Sequence, residues 1–318
     1  MQTAVFLMNL GGPRDLAEVR PYLYDLFSDL LPPGLGPLRR PLAWTIAKLR
    51  APSSAEKYAL IGGGSPLVER TAAQARALSA ALGPSFTTHL AMRCGEPGTG
   101  TAVAEALAAG AERAVALPLY PQWANATSLS SLKELRRLWP RERPLCEICS
   151  WHDHPLWLKA SAATLTEAVA RVPKGLESRL LVVFSAHGLP MSQVRRGDPY
   201  PGYVEISARG TAERCGLAPE SWQLTYQSRV GPAEWLGPDT VSFLKAHARG
   251  RAVVTVPIAF VSEHLETLYD LDILAREAAL AGGAAYYGRA EAVGTRPDFI
   301  AALADLVHRA LEQAQRAA

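Results

Sequence analysis

The sequence predicts an α/β protein of two similarly built halves, each a parallel sheet flanked by helices. Three observations carry this. Leu180-Leu181-Val182-Val183-Phe184 is an unbroken apolar run that stops at Ser185-Ala186-His187-Gly188, the pattern of a strand covered on both faces, as in parallel sheets. Strand-like runs alternate with helical periodicities along the chain, the order that builds such sheets. Finally, Val5–Pro13 parallels Val182–Pro190, and Ala114–Pro121 parallels Val253–Phe260, in the same order, which points to internal duplication.

In the first half, residues 1–150, the N-terminal stretch Met1–Leu10 has neither a basic leader nor a small-residue cleavage site, so it reads as a first strand and not as a signal peptide. It ends in the turn Asn9-Leu10-Gly11-Gly12-Pro13, after which Leu16, Val19, Tyr22, Leu23, Leu26 and Phe27 recur at helical spacing. Leu30-Leu31-Pro32-Pro33-Gly34-Leu35-Gly36-Pro37-Leu38-Arg39-Arg40 is apolar, broken by prolines and closed by a basic pair. Within a segment of about 27–50 it reads as a packed loop, or as a lip that covers an apolar ligand or rests on a membrane surface. Three glycines in Ile61-Gly62-Gly63-Gly64-Ser65-Pro66 let the backbone approach something closely. They fit neither a Walker sequence nor the dinucleotide fingerprint. An alanine-rich helix from about Val68 to Leu82 and strands near Thr87–Met92 and Ala114–Pro118 complete the alternation.

The second half, residues 151–318, starts the pattern again. Helices are expected near Pro155–Val172, Tyr203–Cys215, Thr240–Ala248 and Ser262–Leu280, and strands at Leu180–His187, Trp222–Gln227 and Arg251–Phe260. An amphipathic helix over 297–315 places Phe299, Leu303, Leu306 and Val307 on one side.

Composition narrows the function classes. With 318 residues, 48% hydrophobic and 20% charged, the chain is that of a globular protein with room for two cores. A net charge of +3 without a basic cluster gives no reason to propose nucleic acid. No apolar run reaches membrane-spanning length. Four cysteines in such a length argue for a reducing, cytoplasmic setting. Cys146 and Cys149 form a C-x-x-C, but a structural zinc site normally needs a second pair, and Cys94 and Cys215 are far off in sequence.

Two stretches hold the candidate chemistry. His187 stands where the central strand of the second half gives out, at the carboxyl end where open α/β sheets bind ligands. Taken alone, a strand-end histidine reads first as a capping or core residue. Val256–Asp272 is a second buried strand ending in polar residues, with Ser262 as the expected N-cap. On the helix that should follow, Glu263, Glu266 and Asp270 fall three and four residues apart and line one face; such a stripe is often only a solvated surface. An imidazole and a carboxylate suit a divalent first-row ion, and two ligands alone would let it go onward.

The sequence resembles the ferrochelatase family over practically its whole length. The matching pieces are Asn9–Pro13, Ile61–Pro66, Leu119–Gln122, Phe184–Pro190, Arg196–Tyr200, Tyr226–Pro232 and Phe260–Tyr269. This implies two similar Rossmann-like domains of the class II chelatase kind, with ferrous iron inserted into a porphyrin held in the cleft between them. By resemblance, His187 matches the catalytic histidine and Glu266 its partner glutamate, the two together being described as the iron site. Tyr58, Arg93, Trp235, Phe260 and His264 match positions near the porphyrin or its propionates, and Glu263 and Asp270 continue an acidic path for protons or metal. Iron is then a substrate, and no tightly bound cofactor is expected. Some relatives carry an iron–sulfur cluster on C-terminal cysteines; no cysteine follows Cys215, so no cluster is expected here.

The chain departs from the family pattern at Ala124–Ser130, where a Ser/Thr/Gly-rich run is usual, at Glu263, usually aspartate, and at Cys94, often tyrosine. Leu10-Gly11-Gly12-Pro13-Arg14 looks like the protoporphyrin IX group and not the coproporphyrin III group. A porphyrin carrier or a chelatase for another metal would use the same fold. A cytoplasmic protein, peripheral at the membrane through its lip, is the expected setting.

Overall fold

The computed structural model describes residues 2–229 and 231–317. It contains two four-stranded parallel sheets, each in its own compact unit. The first sheet is formed by β1 (Thr3–Asn9), β2 (Phe86–Met92), β3 (Arg113–Pro118) and β4 (Leu145–Glu147), in the order β2-β1-β3-β4. β5 (Leu180–His187), β6 (Trp222–Gln227), β7 (Ala252–Pro257) and β8 (Tyr286–Arg289) form the second, in the order β6-β5-β7-β8. The two orders are the same permutation, so the duplication visible in the sequence is one of topology.

The central strands explain why these sheets form. β1 is buried at every position, and β5 at all but its two ends, as expected when helices cover both faces. In the first unit the crossovers run through α1 (Val19–Leu30), α2 (Arg39–Leu60), α3 (Leu67–Leu82), α4 (Thr99–Ala108) and α5 (Ser130–Leu138). The second unit has α6 (Pro155–Val169), the short α7 (Met191–Val194), α8 (Tyr200–Arg214), α9 (Thr240–His247), α10 (Leu265–Leu268) and α11 (Arg276–Ala281). α12 (Pro297–Ala317) closes the chain.

Several expectations need correction. The division into 1–150 and 151–318 is crossed twice: residues from Leu303 onward belong to the first unit, and Tyr120–Ala124 to the second. The physical reasons are local. His308 on α12 meets Phe86 of β2 edge to face at 5.8 Å, while Gln122 donates to Ser207 Oγ at 2.9 Å and to the Ile258 carbonyl at 3.1 Å. The segment read as an irregular lip is a 3₁₀ turn, Pro33–Leu38, leading into the 22-residue α2. Its buried face carries Ala43, Ala47 and Tyr58, while Leu42, Trp44, Leu49 and Leu60 are exposed. An inward stripe of alanine under an outward stripe of leucine hides the helical period from a hydrophobicity reading.

The triple glycine approaches the chain's own backbone. A Cβ on Gly64 would lie 2.1 Å from the Arg14 carbonyl oxygen, and the Ser65 amide donates to the Pro13 carbonyl at 2.7 Å. This run therefore fastens the turn after β1.

Candidate functional site

His187 is the last residue of β5, and its Cα registers with Gln227, the last of β6. Gly188 then lets the chain turn: its amide donates to the Gln227 carbonyl at 2.9 Å, and a Cβ would meet that same oxygen at 2.9 Å and Trp235 Cε3 at 3.4 Å. Pro190 bridges antiparallel to Trp235, with the Met191 amide donating to the Glu234 carbonyl at 2.8 Å. The Trp235 segment is thus clipped to the loop that presents His187.

Glu266 lies in the first turn of α10, after β7, where the structure differs from the expected helix. His264, not Ser262, occupies the N-cap of α10; its amide donates to Thr267 Oγ1 at 3.0 Å. Helix α10 has only four residues before the backbone widens into a π-helical turn, Asp270–Ala275. Such turns are rare and concentrate at functional sites. Leu271 is buried in the core with Leu181, Val183 and Leu244, and the Tyr287 hydroxyl donates to its carbonyl at 2.6 Å.

The acidic stripe divides accordingly. Glu266 Oε2 lies 2.7 Å from His187 Nδ1 and accepts from Ser228 Oγ at 3.0 Å. Gln227 Nε2 donates to the Glu266 carbonyl oxygen at 2.9 Å. Asp270 joins through Ser228, whose Oγ is 2.6 Å from Asp270 Oδ2. Glu263 goes elsewhere. It precedes α10, and its Oε1 accepts from Arg289 Nη1 at 3.0 Å and from the Ala292 amide at 2.8 Å. Arg289 also forks onto Asp272 at 2.7 and 2.8 Å. Removing one partner of such a largely buried ion pair costs about 3–5 kcal/mol. The reading of Glu263 as part of a path shared with Glu266 and Asp270 is corrected: being outside the helix, it is turned onto a guanidinium and holds the end of β8.

His264 lies beside the pair, with Nε2 4.0 Å from Glu266 Oε1 and its ring 4.5 Å from that of Phe260. Burial pulls its pKa down, and the neighbouring carboxylates do not fully offset this. For His187 the balance is reversed: burial also disfavours the cation, but the Glu266 carboxylate and its hydrogen bond outweigh burial and raise the pKa. Glu266 is correspondingly lowered to about 2; burial opposes ionisation, while His187 overcomes it. The His187 side chain keeps 40% of its exposure against 20% for Glu266, so the pair remains reachable. With the Nδ1 proton directed at Glu266, the Nε2 lone pair is the basic atom.

His187, Glu266, His264, Phe260, Trp235 and Asp270 all lie in the second unit, whereas Tyr58 and Arg93 belong to the first. Tyr58 is buried near the end of α2. Arg93 lines a cavity of about 450 Å³ with Asp25, Asp29 and Arg39. Its guanidinium pairs with Asp29 and donates to Ser130 Oγ at 2.8 Å. Sequence reasoning assigned no role to Gln227, Ser228 or Tyr200, the last of which is buried and hydrogen-bonded to the His187 backbone. The available signal was that Gln227 and Ser228 end a strand adjacent to that of His187, where polar side chains converge.

Among the described residues, no group of three or more His, Cys, Asp or Glu side chains is placed to hold a metal ion. The four cysteines are free, and burial pushes the Cys94 thiol up to about 12.

The sequence model of the ferrochelatase family matches residues 2–311. The chain belongs to the ferrochelatase family. It is 43% identical over 323 residues to the ferrochelatase of Synechococcus sp. (strain RCC307), covering 98% of this chain and 83% of that protein. The ferrochelatase of Parasynechococcus marenigrum (strain WH8102) is also 43% identical, over 328 residues, with the same coverage. Two solved chelatases share the fold at 14% identity. SirB from Bacillus subtilis with Fe3+ has a TM-score of 0.60 over 98% of this chain and 96% of its own. CbiX, the terminal enzyme of sirohaem biosynthesis in denitrifying bacteria, has 0.54 over 97% and 99%. As a ferrochelatase-family chain, the protein is a metal chelatase of haem biosynthesis acting on a porphyrin.

Proposed function

We propose that this chelatase inserts ferrous iron into protoporphyrin IX, with His187 Nε2 accepting the two pyrrole protons in turn. The observation that carries the proposal is the 2.7 Å contact of His187 Nδ1 with Glu266 Oε2, which orients the imidazole and stabilises its protonated form. Pyrrole nitrogens in a flat macrocycle are weak acids, so a bent ring that exposes their lone pairs makes the proton transfer easier. His264 and Phe260, whose rings meet at a tilt beside the pair, and Trp235, clipped to its loop, supply ring surface for such a macrocycle. Iron is a substrate in this account and needs no resident cofactor. Leu10-Gly11-Gly12-Pro13-Arg14 supports protoporphyrin IX over coproporphyrin III. Anaerobic assays with ferrous ion should show many turnovers on protoporphyrin IX, at a kcat/KM at least about tenfold above that for coproporphyrin III, a difference of about 1.4 kcal/mol. Faster insertion into coproporphyrin III would overturn the substrate assignment.

The same reading includes contact with an anionic membrane surface through α2. Leu38, Leu42, Trp44 and Leu49 are exposed there among Arg39, Arg40, Lys48 and Arg50, and the Arg20 guanidinium and Lys48 ammonium lie 5.0 and 5.3 Å from the Trp44 ring. Exposed leucine and tryptophan flanked by cations suit a bilayer interface, whereas no described helix is long and apolar enough to cross one. The protein should float with phosphatidylglycerol-containing vesicles, and Trp44→Glu with Leu49→Glu should abolish flotation. Equal recovery with neutral vesicles, or no recovery with either, would exclude this contact.

A further inference from the structure

β5 is apolar from Leu180 to Phe184 and then buries a hydroxyl, Ser185, on an interior strand of its sheet. Ser185 registers with Thr225 of β6, and His187 with Gln227. With a side-chain period of two, all four project from the same face of the sheet. Thr240, the first residue of α9, adds a third hydroxyl. Ser185, Thr225, Thr240 and Gln227 are all buried. Alanine or valine would fill the three hydroxyl positions without the cost of burying a polar group, so packing alone does not account for them.

Their contacts run in a line. Ser185 Oγ lies 2.7 Å from Gln227 Oε1 and 3.0 Å from Thr240 Oγ1, which in turn lies 2.9 Å from Thr225 Oγ1. An amide oxygen only accepts, so Ser185 donates to Gln227. The one proton of Ser185 is then committed, Thr240 donates to Ser185, and Thr225 donates to Thr240. The 3.2 Å approach of Thr225 Oγ1 to the Phe184 carbonyl shares that last proton. Hydroxyls directed one way polarise one another, and here they end on the amide oxygen. The far side of the amide is left with N–H to offer. Gln227 Nε2 accordingly donates to the Glu266 carbonyl oxygen at 2.9 Å and approaches Oε2 at 3.4 Å. Turned over, the amide would set its own oxygen against these two acceptors.

We infer that Gln227, its amide oriented by the buried Ser185–Thr240–Thr225 chain, is a positioning residue that holds Glu266 against His187. The inference rests on the reading of His187 and Glu266 as the reacting pair, and Gln227 itself transfers neither proton nor metal. Glu266 lies in a helix of four residues that gives way at once to the π-helical turn, and so short a helix supports its own residues poorly. The bond from Gln227 ties Glu266 to the end of β6, which strand pairing already sets beside His187. Without the Ser185 hydroxyl the amide oxygen would stay buried with no donor, a costly state that Gln227 leaves by swinging its amide away from Glu266.

The test is ferrous insertion into protoporphyrin IX by Ser185→Ala, Gln227→Met, the double variant Ser185→Ala/Gln227→Met, Thr240→Val and Thr240→Ser, beside Glu266→Ala. Ser185→Ala and Gln227→Met should each lose about tenfold in kcat, the scale set by a hydrogen-bond partner behind a functional side chain, with the porphyrin KM within about twofold of the parent. Thr240→Val breaks the chain one hydroxyl further back and should also slow turnover, whereas Thr240→Ser keeps that hydroxyl and should restore it. Because Ser185 acts only through the amide, the double variant should be as slow as Gln227→Met and no slower. Lost packing would act equally in both backgrounds and multiply the two effects. Either single variant within about twofold of the parent, or losses that multiply in the double variant, would overturn the positioning role. If Glu266→Ala keeps the parent rate, the reacting pair itself is misassigned. A slow Glu266→Ala beside a fast Gln227→Met removes Gln227 alone.

Discussion

His187→Ala should lower kcat by about a hundredfold or more, the scale on which a positioned acid–base group contributes. The porphyrin KM should change little. The imidazole is held on both sides: Nδ1 by Glu266, and the backbone by β5 pairing and Tyr200. Truncation therefore removes the accepting nitrogen without disturbing the strand that carries it, and β5 keeps its buried core of Val182, Val183 and Phe184. Unchanged turnover would exclude His187 both as proton acceptor and as iron donor.

Glu266→Gln should cost a comparable factor and also change how stability depends on pH. The amide keeps the shape and can still meet Ser228, but it carries no charge to stabilise the imidazolium. The folded pKa of Glu266 is depressed from 4.5 to about 2, so its contribution is present above pH 4.5 and lost as pH falls through about 2. His187 is raised from 6.5, so its contribution is present below pH 6.5 and lost as pH rises through the folded value. The pair stabilises the fold most between pH 4.5 and 6.5. The difference in urea midpoint between parent and variant should be widest there and narrow on either side. A difference that does not vary with pH would show that the two groups do not share charge.

The parts legible in the sequence are those where burial and type coincide. β1 and β5 are apolar because helices cover both faces, and the turns that end them repeat in both halves. His187 could be singled out because a polar residue ends an apolar strand, and Glu266 because a second strand ends in the same way. What stayed hidden depends on side chains that contradict their periodicity. α2 buries alanine and exposes leucine; β4 is three residues long and β8 four, with every position only half-buried. The Asp270–Ala275 turn adds one residue to the helical repeat, which no hydrophobic pattern records. Glu263 has the spacing of a stripe residue, but its partner Arg289 lies 26 positions away, and only the fold brings them together. Ser228 was invisible for the opposite reason: nothing in its composition distinguishes it from a turn serine.

The most direct test of the central claim, that His187 paired with Glu266 is the base, is the pH dependence of kcat/KM for the parent and for Glu266→Gln. A base must be unprotonated in the free enzyme, so the rate falls on the acid side of its pKa. The account predicts an acid limb above pH 6.5 in the parent that moves to lower pH when the carboxylate is removed. An acid limb at the same pH in both enzymes would contradict it.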